Sequence, residues 1–398
     1  MKNTYYEKME EYKEEDYFSK CTIVINYVYN SFLTRPDKRK YIVTSVELKE
    51  IDDDFKDTTK EPKESDVKLT TLQRLTKKPV DDLKTSLKKL VDRCNVKVSK
   101  ASKRKSWQIF YVYKELLQSL TGKDLGFNYF RGQSCDKPLL PGIMRLGVDI
   151  DYIHDFDSIY KKLSYEFPDK LDYTSIEDNN IVERESNLSL LQHYGLKTAL
   201  LDITKNPYIA MLFMLKENSN DNEYPTLYLF KIDDYNVNDE HPTLFTEVKK
   251  SQINERIIAQ KGAFLNFEKA ILSDTKLTKI PYVKIVLNYD IEEYNRLIDK
   301  ELKEYNRLID NEIETTNKAS ETAQETFDNI YKWALESEKV DCISSREASK
   351  SYIINEMEKK LKEIFYNKED MFPDFENRIR YLSNKYRKDD IQDKNYNK

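Results

Sequence analysis

Apolar positions along the chain recur at intervals that predict both helices and strands. From Tyr17 to Phe32 they fall on one side of a helical projection, which predicts an amphipathic helix. A charged linker is expected from about Glu50 to Asp66. Residues 1–66 are therefore interpreted as a helical segment followed by a linker.

The next segment, residues 67–115, has the order of a winged helix-turn-helix module. Apolar residues spaced three and four apart predict two short helices on either side of Pro79. Two short strands are then expected, at Asn95–Val98 and at Trp107–Tyr113, joined by a basic tip. The resemblance to a winged helix lies in this pattern alone.

This segment is strongly basic on a chain whose net charge is −5. From Lys68 to Lys105 there are thirteen Lys or Arg and three Asp. Contact with nucleic-acid phosphates is one interpretation, and docking to an acidic protein partner or a merely solvated face are the alternatives. The candidate contacts are Lys84, Lys88, Lys89, Lys103, Arg104 and Lys105.

A middle region, residues 116–290, holds the candidate chemistry. All seven glycines lie between Gly122 and Gly262, so special backbone geometry is concentrated there. An aromatic strand is expected to end at Arg131, whose guanidinium could bind a phosphate or carboxylate, and it is followed by Gly132 and Gln133.

The stretch from Gln192 to Ala210 is the densest in candidate residues. Two rings and a glycine precede a short apolar strand, Ala199–Ile203, and Asn206-Pro207 then opens a helix. The strand end and the helix N-terminus form a place that favours anions. Its candidate residues, which could also serve only as caps and core, are His193, Tyr194, Asp202, Thr204 and Asn206.

Two later features complete the pattern. Arg256 and Gln260 are expected around an apolar strand that turns at Gly262, and Tyr282–Leu287 reads as a further strand. The heptapeptide EYNRLID then occurs twice, eleven residues apart. An eleven-residue period matches a nearly straight helix, so residues 291–344 are interpreted as an inserted helical arm, able to mediate homo-oligomerisation or to form only a surface helix.

These blocks together resemble the FRG family, named for a Phe/Tyr-Arg-Gly motif. Phe130-Arg131-Gly132-Gln133 matches the signature, and the blocks at Gln192–Pro207 and Arg256–Phe264 follow in the same order. Met371-Phe372-Pro373-Asp374 resembles the family's closing segment, so residues 345–398 are interpreted as the C-terminal part of the FRG domain and a tail.

The layout of these blocks is similar to that of ADP-ribosyltransferases. The resemblance implies an α+β fold with a mixed sheet, and NAD as the substrate. Arg131 would then hold NAD, with Asp202 and Gln260 in the other catalytic positions. Because Gln260 is uncharged, the carboxylate that this chemistry needs would come from Asp202, or else from Glu255. Cofactor contacts are expected from Gln133, His193, Tyr194, Thr204, Asn206 and Arg256.

Composition excludes several other classes of protein. No apolar run is long enough to cross a membrane, and the first residues lack a signal-peptide pattern, so a cytoplasmic location without membrane contact is expected. Four scattered cysteines and three histidines predict neither a metal site nor a disulfide framework. A nuclease would need a metal-binding carboxylate cluster, and the sequence offers none.

The leading hypothesis is an intracellular effector of the ADP-ribosyltransferase type, a toxin of bacterial antiphage defence or abortive infection. The alternative is a non-catalytic protein that binds nucleic acid or senses a ligand.

Overall fold

A computed structural model describes residues 12–30, 40–52, 55, 83–104, 108–176, 180–215, 224–232, 242–248, 255–272, 277–313, 342–373, 379 and 383. Its centre is one mixed sheet of eight strands in the order β2-β1-β8-β5-β3-β4-β7-β6. Only β1 and β8 pair in parallel among the described strands. The strands are β1 (Phe18–Tyr29), β2 (Tyr41–Ile51), β3 (Tyr129–Gln133), β4 (Leu200–Thr204), β5 (Thr226–Phe230), β6 (Phe245–Thr246), β7 (Gly262–Asn266) and β8 (Ile280–Tyr289).

Ten α-helices surround the sheet within the described part of the chain, so the α+β class with a mixed sheet is confirmed. They are α1 (Glu14–Tyr17), α2 (Leu83–Arg104), α3 (Ile109–Leu120), α4 (Ile150–Glu166), α5 (Ile181–His193), α6 (Pro207–Met214), α7 (Glu255–Ala259), α8 (Glu268–Leu272), α9 (Ile291–Ile313) and α10 (Cys342–Glu363). None of the described helices is long and apolar enough to cross a membrane.

The helix expected over Tyr17–Phe32 is wrong, because Phe18–Tyr29 of this segment forms strand β1. Most of its side chains are buried, including Ile23, Val24 and Ile25 in succession. A strand that is covered on both faces has no alternation of polar and apolar residues, and its apolar run also fits helical spacing. The N-terminal segment therefore supplies two strands, β1 and β2, to the sheet that carries the middle region.

The two strands expected for a wing are also wrong. Asn95–Val98 lies within helix α2, and most of Trp107–Tyr113 begins helix α3. Asn95 explains the local choice, because its side-chain amide donates to the Val46 carbonyl (2.6 Å) and accepts from the Val46 N–H (2.7 Å). Helix α2 thereby satisfies backbone groups of the edge strand β2. The first helix predicted in this segment lies outside the described residues.

A buried ion pair fixes helix α5, which ends at His193. The Arg184 guanidinium forms two hydrogen bonds with the Glu268 carboxylate, at 2.8 and 2.9 Å, and a third with Asp157 at 3.0 Å. Arg184 and Glu268 are almost completely buried. Such a bidentate contact holds both partners in one geometry, so α5 is tied to α8 at the end of β7.

The arm predicted from the repeated heptapeptide begins as a helix, as expected, and α9 extends to Ile313. Its first turns are packed on the protein, because Tyr294 and Ile298 are buried and the Tyr294 ring contacts that of Tyr289. The remainder of the predicted arm, from residue 314 to 341, lies outside the described residues. Its part in oligomerisation stays a prediction.

Candidate functional site

The strand-to-helix corner between β4 and α6 forms as the sequence predicts. Buried residues flank Asp202 on β4, and Asp202 itself is exposed. Asn206 is the N-cap of α6, where its side-chain oxygen accepts from the Tyr208 N–H at 2.9 Å, and Pro207 occupies the first turn. The corner therefore presents one carboxylate beside a capped helix end.

Two of the predicted contact residues are used to build this corner. The Thr204 hydroxyl donates to the Gln260 carbonyl (2.7 Å) and accepts from the Asn206 N–H (3.0 Å). The Asn206 amide also donates to the Tyr366 hydroxyl at 2.8 Å. Thr204 and Asn206 thus join β4 and α6 to segments that are remote in sequence.

A small cavity beside the corner brings four predicted site residues together: His193, Asp202, Arg256 and Gln260. Its volume is about 30 Å³, and its other lining residues are Ser189, Gln192, Ile203, Ile257, Gly262 and Phe264. One or two water molecules fill such a volume. A carboxylate, an imidazole, a guanidinium and an amide therefore line one small space.

The strand expected around Arg256 and Gln260 is wrong in its first half. Residues Glu255–Ala259 form helix α7, and the strand starts only at Gly262. The turn between them places Lys261 in the left-handed region, with a φ of 48°. One helical turn carries Arg256 and Gln260 to the same side, which is how both reach the cavity.

Tyr194 lies apart from this group. It follows the last residue of α5, its ring meets that of His193 edge to face at 5.1 Å, and half of its surface is exposed. It does not line the cavity. Gly195 next to it has a φ of 99°, so the glycine is needed for the turn into β4.

Arg131 also lies outside the cavity lining. Phe130 pairs with Thr204, and side chains alternate along a strand, so Arg131 and Asp202 leave the sheet on opposite faces. The Arg131 guanidinium instead donates to the backbone carbonyl of Asp202 at 2.6 Å. With its amide oriented to satisfy both neighbours, Gln133 accepts from Arg131 Nε (3.2 Å) and donates to the Lys137 carbonyl.

Burial lowers the pKa of Arg131 to about 10, and the negative charge of Asp202 opposes this shift. The guanidinium therefore stays protonated at neutral pH. The guanidinium places a permanent positive charge next to β4, the strand that carries Asp202. Its side chain does not line the cavity.

A larger groove lies on the face of the sheet to which Arg131 belongs. Tyr228, the cross-strand neighbour of Arg131, is among its lining residues, and its volume is about 1030 Å³. Five lysines and five carboxylates line it. Ion pairs join Lys284 to Asp136 at 2.7 Å and Lys20 to Glu50 at 3.0 Å, so the groove has no excess of either charge.

The cavity has partners that the sequence did not identify as contacts, in the segment after α10. The Gln260 amide donates to the Met371 carbonyl at 3.0 Å, and the Arg256 guanidinium lies over the Phe372 ring, 5.6 Å from its centroid. Met371 and Phe372 belong to the family's closing block, so the sequence did mark this segment as part of the domain. It did not reveal that the block contacts Arg256 and Gln260.

The predicted nucleic-acid contacts lie mainly on helix α2. Lys88 and Lys89 are exposed on it and Lys84 is half-buried. Lys103 and Arg104 are in its last turn, and Lys105 lies outside the described residues. Arg93, which was not among the predicted contacts, is exposed on the same helix.

In the described part of the chain no three His, Cys, Asp or Glu side chains could hold a metal ion.

These observations define an α+β protein with a polar cavity at one strand-to-helix corner of its mixed sheet. Residues 127–223 match the family model of the FRG domain, so this part of the chain is an FRG domain. The match includes Arg131, His193 and Asp202, whereas Arg256 and Gln260 follow it. A comparison with curated proteins and with solved structures gave no match.

The glycine of the Phe-Arg-Gly motif allows α6 to pack directly on β3. A Cβ atom on Gly132 would lie 1.8 Å from the Ala210 carbonyl oxygen and 2.7 Å from the Met214 nitrogen. Because both atoms are backbone, we expect Gly132→Ala to lower the free energy of unfolding by at least about 3 kcal/mol, measured by denaturant titration.

Gly142→Ala is the matched control, since its Cβ would meet nothing closer than 3.5 Å. Equal stability of the two variants would contradict the close contact between β3 and α6.

Proposed function

We propose that the FRG domain is an NAD-using enzyme of the ADP-ribosyltransferase type, with its reaction centre at the cavity beside Asp202. The observation that carries this proposal is the exposed Asp202 carboxylate, which lines the same cavity as His193 and Arg256. A transferase of this type needs a carboxylate close to the ribose. The cavity supplies this group.

The reaction breaks the bond between the ribose C1′ and the nicotinamide nitrogen, and the bonding electrons leave with nicotinamide. The ribose then carries oxocarbenium character, which a nearby carboxylate stabilises while it accepts a hydrogen bond from a ribose hydroxyl. We assign this part to Asp202. A nucleophile of the acceptor forms the new bond to C1′ and loses a proton, and the His193 imidazole is the base within the cavity.

Arg131 and Gln260 have supporting parts in this scheme. Arg131 donates to the Asp202 carbonyl, so we assign it to positioning the strand that carries the carboxylate. Gln260 has no charge to stabilise a ribose cation, and its amide is bonded to Met371. Asp202 is therefore the residue on which turnover depends most.

An enzyme that consumes NAD or modifies cellular macromolecules harms the cell that contains it. This suits a toxin of bacterial antiphage defence that acts by abortive infection. We propose that biological role as an extension of the enzymatic one, and it depends on NAD turnover.

The test is nicotinamide release from NAD by the purified protein in the presence of cell extract, measured by chromatography. We expect Asp202→Asn to lower the rate by about 10² to 10³, since it removes a charge that acts on the transition state. Asp155→Asn, which changes an exposed carboxylate on α4, is the control and should leave the rate unchanged. Absence of release by the wild-type protein, or full activity of Asp202→Asn, would refute the proposal.

One observation favours a second function, which is nucleic-acid binding through α2. Lys88, Lys89 and Arg93 are exposed on this helix with a single acid, Asp92, among them. A basic helix face attracts phosphates and gives affinity that falls steeply with salt.

Replacing these three residues by Glu should weaken binding to double-stranded DNA or RNA. The slope of log K against log salt concentration should also become shallower by about one unit for each phosphate contact that is lost. Fluorescence anisotropy over a salt series measures both. The matched control reverses Lys161, Lys162 and Lys170, which are exposed around α4. If both triple variants bind as weakly as each other, α2 has no specific part.

A further inference from the structure

A short segment after α10 crosses the β4–α6 corner and reaches the cavity. We name residues Tyr366–Phe372 the strap. At its first end the Tyr366 hydroxyl accepts from the Asn206 amide at 2.8 Å, and the Tyr366 ring packs on Tyr208 at 5.3 Å between centroids. Further along, Lys368 donates to the Leu215 carbonyl at 3.0 Å. The strap is thus attached at both ends of α6.

The last two residues of the strap bind the polar groups of the cavity wall. The Met371 carbonyl accepts from the Gln260 amide at 3.0 Å, and the Phe372 ring lies against the Arg256 guanidinium at 5.6 Å. Together Met371 and Phe372 present an aromatic ring and a neighbouring carbonyl oxygen. The cavity wall recognises the ring through a cation–π contact and the carbonyl through a hydrogen bond.

We propose that Arg256 and Gln260 are a recognition pair for a ligand that combines an aromatic ring with a carbonyl acceptor, and that the strap occupies this pair as an internal substitute. The inference rests on the proposed function, because it concerns the same cavity. Free nicotinamide, a neutral pyridine ring that bears a carboxamide and the leaving group of the proposed reaction, has this chemistry. Strap and ligand therefore compete for Arg256 and Gln260.

The size of the cavity agrees with such competition. About 30 Å³ is too small for an aromatic ring, and Met371 and Phe372 already contact Gln260 and Arg256 of the lining, so a ring that binds this pair displaces the strap. The residue before the strap, Phe365, has a φ of 65° and is 89% exposed. A bulky residue in the left-handed region is strained, so the strap begins at a point of backbone strain.

The reactivity of Arg256 toward butanedione, followed by mass spectrometry, measures release of the strap without NAD turnover. We expect Phe372→Ala to increase the modification rate of Arg256 by about three- to thirtyfold, which is the range of a cation–π contact. The exposed Arg93 is the internal reference and should not change. Tyr366→Phe is a milder second variant, because it removes only the hydroxyl that accepts from Asn206. It should also increase the modification rate of Arg256, by a smaller factor.

Added nicotinamide should slow the modification of Arg256 in Phe372→Ala, and pyridine, which lacks the carbonyl, should do so much less. Should Phe372→Ala fail to fold, the same protection is measured in Tyr366→Phe. Unchanged Arg256 reactivity in the folded variants, or equal protection by both compounds, overturns the inference. Nicotinamide protection without NAD turnover would refute the proposed reaction alone, whereas Asp202-dependent turnover without protection would refute the recognition pair alone.

Discussion

Asn206 connects three parts of the protein that are distant in sequence. Its side-chain oxygen caps α6, its N–H is bonded to Thr204 at the end of β4, and its amide reaches Tyr366 beyond α10. A buried polar side chain needs all its partners, since each lost one leaves an unsatisfied group in the interior. The position of Asp202, the direction of α6 and the course of the strap are therefore determined together.

The two candidate sites around this corner have different electrostatic character. Beside Asp202, a small number of polar side chains line a cavity of about 30 Å³. On the side of Arg131, a wide groove carries equal numbers of lysines and carboxylates, several of them paired. The arginine of the motif links the two sides through the Asp202 carbonyl.

Local signals in the sequence were sufficient for the corner itself. An apolar strand, a capping Asn and a Pro predict β4 and α6 almost to the residue, because each acts through its own backbone. They were insufficient for β1, whose apolar run is buried by distant elements, and for α2, where Asn95 is bonded to an edge strand. The order of motifs was enough to group His193, Asp202, Arg256 and Gln260. The absence of Arg131 from the cavity lining depended on the register between β3 and β4, which the sequence does not reveal.

The proposed reaction requires that a ligand bind beside Asp202 and replace the strap on Arg256 and Gln260. A crystal structure of the full chain with an uncleavable NAD analogue, in which a neutral carboxamide-bearing ring replaces the pyridinium, tests this most directly. We expect density for the nicotinamide ring against Arg256, its ribose within hydrogen-bonding distance of Asp202, and Phe372 displaced. Density for the analogue in the groove beside Tyr228, with Met371 and Phe372 still on Gln260 and Arg256, would contradict it.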